Sequence, residues 1–105
     1  MGIFGNKAER ADINQAVAAR ESESVLIDAR DPKEYAAGHI PGSVNVPAGS
    51  IHMVDTEIPD LDTPVYVYCL SGARSSRAVA SLQNMGYTNV KNIGGINKYK
   101  GHIEK

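Results

Sequence analysis

Two hydrophobic periods alternate along the chain from residue 12 onward. Ile13, Ala16 and Val17 recur on one helical face behind Asp12, a natural N-cap, with Gln15 completing a capping-box pattern. "SVLIDA" then reads as a short buried strand. "DPKEY" predicts a second helix start: Asp31 as N-cap, Pro32 at the first helical position where its missing N–H costs nothing, Glu34 at the third, and Gly38 as the stop. "GSVNVP" predicts a short strand ended by Pro47, residues Ile51 to Val54 a further turn of helix, and Pro59 to Pro64 a loop. In "PVYVYC" β-branched and aromatic residues fill both faces, the pattern of a strand covered on both sides. Beyond it, Ser75 is expected to cap a helix with Ala78, Val79, Leu82 and Met85 on one stripe and Gly86 at its end. "NVKNI" predicts one more strand, followed by Gly94, Gly95 and a polar, partly helical tail. Strands and helices in alternation predict an α/β fold with a mainly parallel sheet.

The 105 residues suffice for one hydrophobic core and not for two, so a single domain over 1–105 is expected. Eleven basic against twelve acidic residues give a formal charge of -1. No large field steers the chain toward nucleic acid or a membrane surface, so any anion chemistry must be local. "MGIFGNKAERAD" has neither the charged n-region nor the apolar h-region of a signal peptide, and Asn6 stands where a myristoylation motif built on Gly2 wants Ser or Thr. No apolar run approaches bilayer length. One cysteine cannot form an internal disulfide, and no ligand cluster suggests zinc, another metal or a cofactor; a reducing, cytoplasmic setting is the expectation.

That cysteine, Cys69, closes the most apolar strand and precedes "LSGARS". Ligand sites of open α/β sheets form beyond the carboxyl ends of the strands, which is where this position falls. Gly72 permits a tight curl from strand into helix, and such a curl turns successive N–H groups inward. Together with the positive end of the helix they form an anion nest that favours thiolate over thiol. Arg74 adds a cation or an anchor. A free cysteine after Val, Tyr, Val and Tyr is most often a small buried hydrophobe, but a packing cysteine has no need of Gly72, Arg74 and a capped helix in that order. The sequence favours a nucleophile.

"CLSGARS" after an apolar strand resembles the active-site loop of the rhodanese-type sulfurtransferases. "LIDARDPKEYAAGHIPGSVNVP", Leu26 to Pro47, resembles their upstream signature, and "GGINKY" their carboxyl-terminal one, with Tyr99 where tryptophan is usual. The resemblance runs from about residue 25 to residue 100. It implies a rhodanese-like three-layer domain, a central sheet covered by helices on both faces, and a persulfide mechanism. Cys69 would take the outer sulfur of a donor such as thiosulfate or a persulfide, and a thiol, cyanide or a protein acceptor would remove it. The loop Leu70, Ser71, Gly72, Ala73, Arg74 and Ser75 would bind the substrate. Related phosphatases place five residues between Cys and Arg and usually a histidine before the cysteine; here four intervene and Tyr68 precedes, which favours sulfur over phosphate or arsenate. Leu70 and Ser71 are neutral where many thiosulfate users carry cations. A rhodanese-fold sulfur carrier or interaction module with little small-molecule turnover is therefore the alternative reading. Asp28 and Arg30, just past the first strand, would orient or charge the surroundings of the loop; the bland reading makes Asp28 a turn cap and Arg30 a solvated charge.

The remaining candidates read as structural. His39 in "GHIPG" lacks an Asp or Ser partner at a telling spacing and is expected to be a hydrogen-bonded structural residue; His52 and His102 are expected at the surface. Gly94 and Gly95 lack the rest of a dinucleotide fingerprint and are expected to allow close approach beside the cysteine loop. Met53 and Met85 read as core filler, and Tyr66 and Tyr68 as sheet packing rather than nucleic-acid platforms. "NKYKGHIEK" is too balanced for a polyanion.

Overall fold

The computed structural model describes residues 12–105; the readings made on the first residues, including Gly2 and Asn6, lie outside them. Helix α1 spans Ile13–Ala19, followed by strand β1, Val25–Asp28, and helix α2, Pro32–Ala37. Strand β2, Ser43–Asn45, leads into a 3-10 helical segment, Ala48–Thr56. Strand β3, Val65–Cys69, helix α3, Ala73–Asn84, strand β4, Val90–Gly95, and a short 3-10 turn, Ile96–Lys98, complete the chain. The strands order β2-β1-β3-β4, and every pairing is parallel. All their carboxyl ends therefore lie along one edge.

β3 runs through the middle, and all five of its residues are buried. Its side chains alternate between two apolar clusters because successive residues of a strand point to opposite faces. Val65, Val67 and Cys69 pack with Ile27, the 3-10 residues Ile51 and Val54, and Ala78 and Leu82 of α3. Tyr66 and Tyr68 pack with Leu26, Ile40, Ile93 and Ile13 of α1. The tyrosines pack as predicted and bring their hydroxyls along: Tyr66 donates to Glu21, and Tyr68 donates to or accepts from Ser43 while accepting the Ile40 N–H.

Local chemistry explains most element ends. Asp12 caps α1, but through Asn14, whose backbone N–H donates to it at 2.8 Å, and the Gln15 box does not form. Asn14 is the better partner because its side chain also ties the carboxyl-terminal segment, donating to the Lys98 carbonyl and accepting from the Lys100 N–H. At α2 the box does form: Glu34 accepts the Asp31 N–H at 3.0 Å, and Pro32 holds the first helical position. Two expectations need correction. α3 starts at Ala73 with Gly72 as N-cap, so Ser75 sits inside the first turn, its hydroxyl turned back to the Gly72 carbonyl at 3.1 Å. Met53 is 64% exposed, since the 3-10 segment turns Ile51 and Val54 inward and leaves Met53 outside; Met85 does pack on the core. β4 is also longer than "NVKNI" and includes both glycines.

Candidate active site

The carboxyl end of β3 delivers Cys69 to the floor of a turn between strand and helix. Gly72 takes φ +109°, a conformation that side-chain-bearing residues rarely adopt, and so lets the chain curl within the four residues Leu70 to Ala73. The curl aims the Gly72 N–H at Cys69 Sγ, 3.0 Å away. The Ser75 hydroxyl oxygen stands 3.4 Å from the same sulfur. The carboxyl end of β4 closes the other side: a Cβ on Gly95 would collide with the Leu70 carbonyl oxygen, which the Asn97 N–H also meets at 3.2 Å. The expected close approach at the paired glycines is therefore present, with Gly95 as its critical member.

Burial pushes the Cys69 thiol up, but the Ser75 hydroxyl and the backbone amides of Ser75, Gly72 and Ser71 outweigh it and hold the thiol below its ordinary value. The N-terminus of α3, a 12-residue helix, opens beside the sulfur and acts in the same direction. A thiol so held ionises more readily, and an ionised thiol needs no general base to act as a nucleophile. Cys69 is only 1% exposed.

Arg74 makes no hydrogen bond to the sulfur. Its guanidinium grips Glu34 of α2 with both arms, at 2.7 and 3.1 Å, and this pairing together with the Asp31 N–H pushes the Glu34 carboxyl down to about 2. Glu34 thus does two jobs, capping α2 and anchoring the loop, and only the first was legible from its position after Pro32.

Asp28 and Arg30 are brought together, and both are buried. Arg30 donates from Nε to Asp28 Oδ1 at 3.0 Å and from Nη2 to Oδ2 at 2.7 Å, and from Nη2 to the Gly38 carbonyl at 2.7 Å. Asp28 also accepts the Arg30 backbone N–H at 2.9 Å, so it is a turn cap, while Arg30 is not a solvated charge. The pair braces the turn after β1 and the end of α2. His39 is likewise structural: its Nδ1 bonds the Tyr35 carbonyl at 2.8 Å and its ring stacks on Tyr35. Sequence reasoning missed Asn92, whose side chain contacts Gly72, Ser75 and Gly94 around the cysteine loop.

Comparison with known proteins agrees with this geometry. The family model described as Rhodanese-like domain matches residues 12–102. The chain is 39% identical to the thiosulfate sulfurtransferase GlpE of Pseudomonas entomophila (strain L48), over 83% of this chain and 79% of that one. It is 41% identical to the YqhL protein of Bacillus subtilis (strain 168) over 75% of its own length, a match that spans 63% of YqhL. A solved structure described as a rhodanese with anions from E. coli superposes with a TM-score of 0.73 at 35% identity, covering 78% of this chain and 98% of that one. From its sheet, its cysteine loop and these matches together, the chain belongs to the rhodanese-like domain family.

Proposed function

We propose that the protein is a rhodanese-type sulfurtransferase with Cys69 as its nucleophile. The thiolate attacks the outer sulfur of thiosulfate; the S–S bond of the donor breaks, sulfite leaves with the bonding pair, and Cys69 holds the transferred sulfur as a persulfide anion. A thiolate or cyanide then attacks that outer sulfur, and the new disulfide bond breaks to return the Cys69 thiolate. The observation that carries this reading is the set of N–H donors turned onto Sγ, headed by Gly72 at 3.0 Å. Preorganised donors of this kind stabilise an anion without reorganising during the reaction, and the amides from Leu70 to Ser75 are the groups that would hold the persulfide.

The donor set follows from the same geometry. With Arg74 engaged by Glu34, the loop meets its substrate with peptide dipoles rather than a free cation. That suits a singly charged persulfide as well as thiosulfate, with a protein thiol as a further acceptor. A thiol that must stay reduced between turnovers supports a cytoplasmic setting. Incubation with thiosulfate and cyanide should yield thiocyanate, and a Cys69→Ser protein should yield none. Equal output from the two proteins would overturn the assignment, as would the absence of a one-sulfur mass gain on Cys69 after donor treatment.

A further inference from the structure

β4 does not run straight past β3. Val67 pairs with Asn92 but Tyr68 pairs with Gly94, so Ile93 is an extra residue that bulges the strand beside the cysteine loop. Bulges re-aim the side chains next to them. Ile93 turns into the cluster of Tyr66 and Tyr68, while Asn92 reaches Ser75 of α3 on the opposite face. Gly94 takes φ +96°, and its N–H folds back to Asn92 Oδ1 at 2.9 Å. At the other end of the amide, Nδ2 donates to the Gly72 carbonyl at 3.2 Å. A backbone N–H can only donate and a backbone carbonyl can only accept, so these two contacts fix which way the amide faces. Oδ1 then accepts the Ser75 hydroxyl at 2.8 Å.

Two of the groups that meet the sulfur, the Gly72 peptide and the Ser75 hydroxyl, are thus tied to one side chain. We propose that Asn92 is a positioning residue for the sulfur-carrying cysteine: its amide, locked by the Gly94 N–H, clamps the Gly72 carbonyl and the Ser75 hydroxyl so that the loop donors stay on Cys69 Sγ. The Gly72 carbonyl receives the Ser76 N–H and the Asn92 amide, with the Ser75 hydroxyl oxygen 3.1 Å away, and holding it outward at a glycine with φ +109° holds the preceding amide inward. Ser75 has one hydrogen and a second acceptor in the Gly72 carbonyl at 3.1 Å. Deleting Asn92 therefore does not hand that hydrogen to the sulfur; it removes the clamp. Among the described residues, Arg74 of α3 is a charged group that couples to Cys69; it is held by Glu34 of α2, and substitutions at Asn92 leave that pair intact.

The inference rests on the reading of Cys69 as the nucleophile, and the pH profile of Cys69 alkylation by iodoacetamide separates the two. In Asn92→Ala the midpoint should rise by roughly one unit, which makes alkylation about tenfold slower at a pH below both midpoints. Asn92→Gln keeps the amide but displaces both of its ends into the adjoining groove, and should show the same rise; it decides the matter if the alanine protein does not fold. Asn89→Ala, the same deletion at a residue lining the same groove, should keep the wild-type midpoint. A wild-type midpoint like that of free cysteine would sink the nucleophile reading itself. A low wild-type midpoint left unchanged in folded Asn92→Ala and Asn92→Gln, or moved equally by Asn89→Ala, would overturn the role of Asn92 alone.

Discussion

Cys69 and Ser75 carry the sharpest expectation at the scale of single residues. The Cys69 thiol is held low in the folded chain against its ordinary value, so between those two values the folded state binds fewer protons than the unfolded one. Stability should therefore rise with pH through that window, and Cys69→Ser should flatten the rise in denaturant titrations run at several pH values. Ser75→Ala, which removes the hydroxyl held by Asn92 Oδ1 and with it one arm of the clamp, should move the alkylation midpoint upward. Asp28 and Arg30 give the contrasting case of a buried pair that bonds to itself and to the Gly38 carbonyl rather than to the sulfur. Asp28→Ala leaves the buried Arg30 guanidinium uncompensated and should cost about 3–5 kcal/mol in a denaturant melt. The surviving folded fraction should keep the Cys69 alkylation midpoint, because neither side chain hydrogen-bonds the sulfur or the loop amides. A shifted midpoint would mean that the pair tunes the nucleophile after all.

At the scale of elements, the loop is held between α2, α3 and β4. Glu34 and Arg74 join α2 to the first turn of α3 through a two-armed pair at the protein surface. A double-mutant cycle on Glu34→Gln and Arg74→Ala should return a coupling of about 0.2–1 kcal/mol. The sign of its pH dependence follows from the lowered Glu34 carboxyl: the contribution is complete above about 4.5 and is lost as pH falls toward about 2. Gly95→Ala tests the contact between β4 and the loop. Its Cβ would have to displace the Leu70 backbone, so a fall in both melting temperature and thiocyanate production is expected, whereas a folded, fully active variant would refute the close contact.

For the whole molecule, what was legible in the sequence was whatever local patterning decides. β3 could be read because β-branched and aromatic residues fill both of its faces, and α2 because Asp31, Pro32 and Glu34 act within one helical turn. Cys69 and its loop were readable for the same reason, since Gly72 lies only three residues from the sulfur it serves. Ser75 was misread because serine has cap chemistry wherever it stands, and only the left-handed Gly72 starts the helix three residues earlier than that reading. Met53 was misread because an apolar side chain reads as core wherever it stands, and only the 3-10 segment, which turns Ile51 and Val54 inward, leaves it outside. Asn92 could not be read at all: its partners lie 17 and 20 residues away, and only the bulge at Ile93 aims it at them.

Both faces of the sheet are roofed at β3, and every one of its five residues is sealed from solvent. If Cys69 carries sulfur as proposed, an acceptor is expected to approach from the carboxyl end of the strand, past the loop, rather than across either face. Slender nucleophiles and thiols borne on a projecting tip should then be served better than a thiol recessed in the surface of a folded partner.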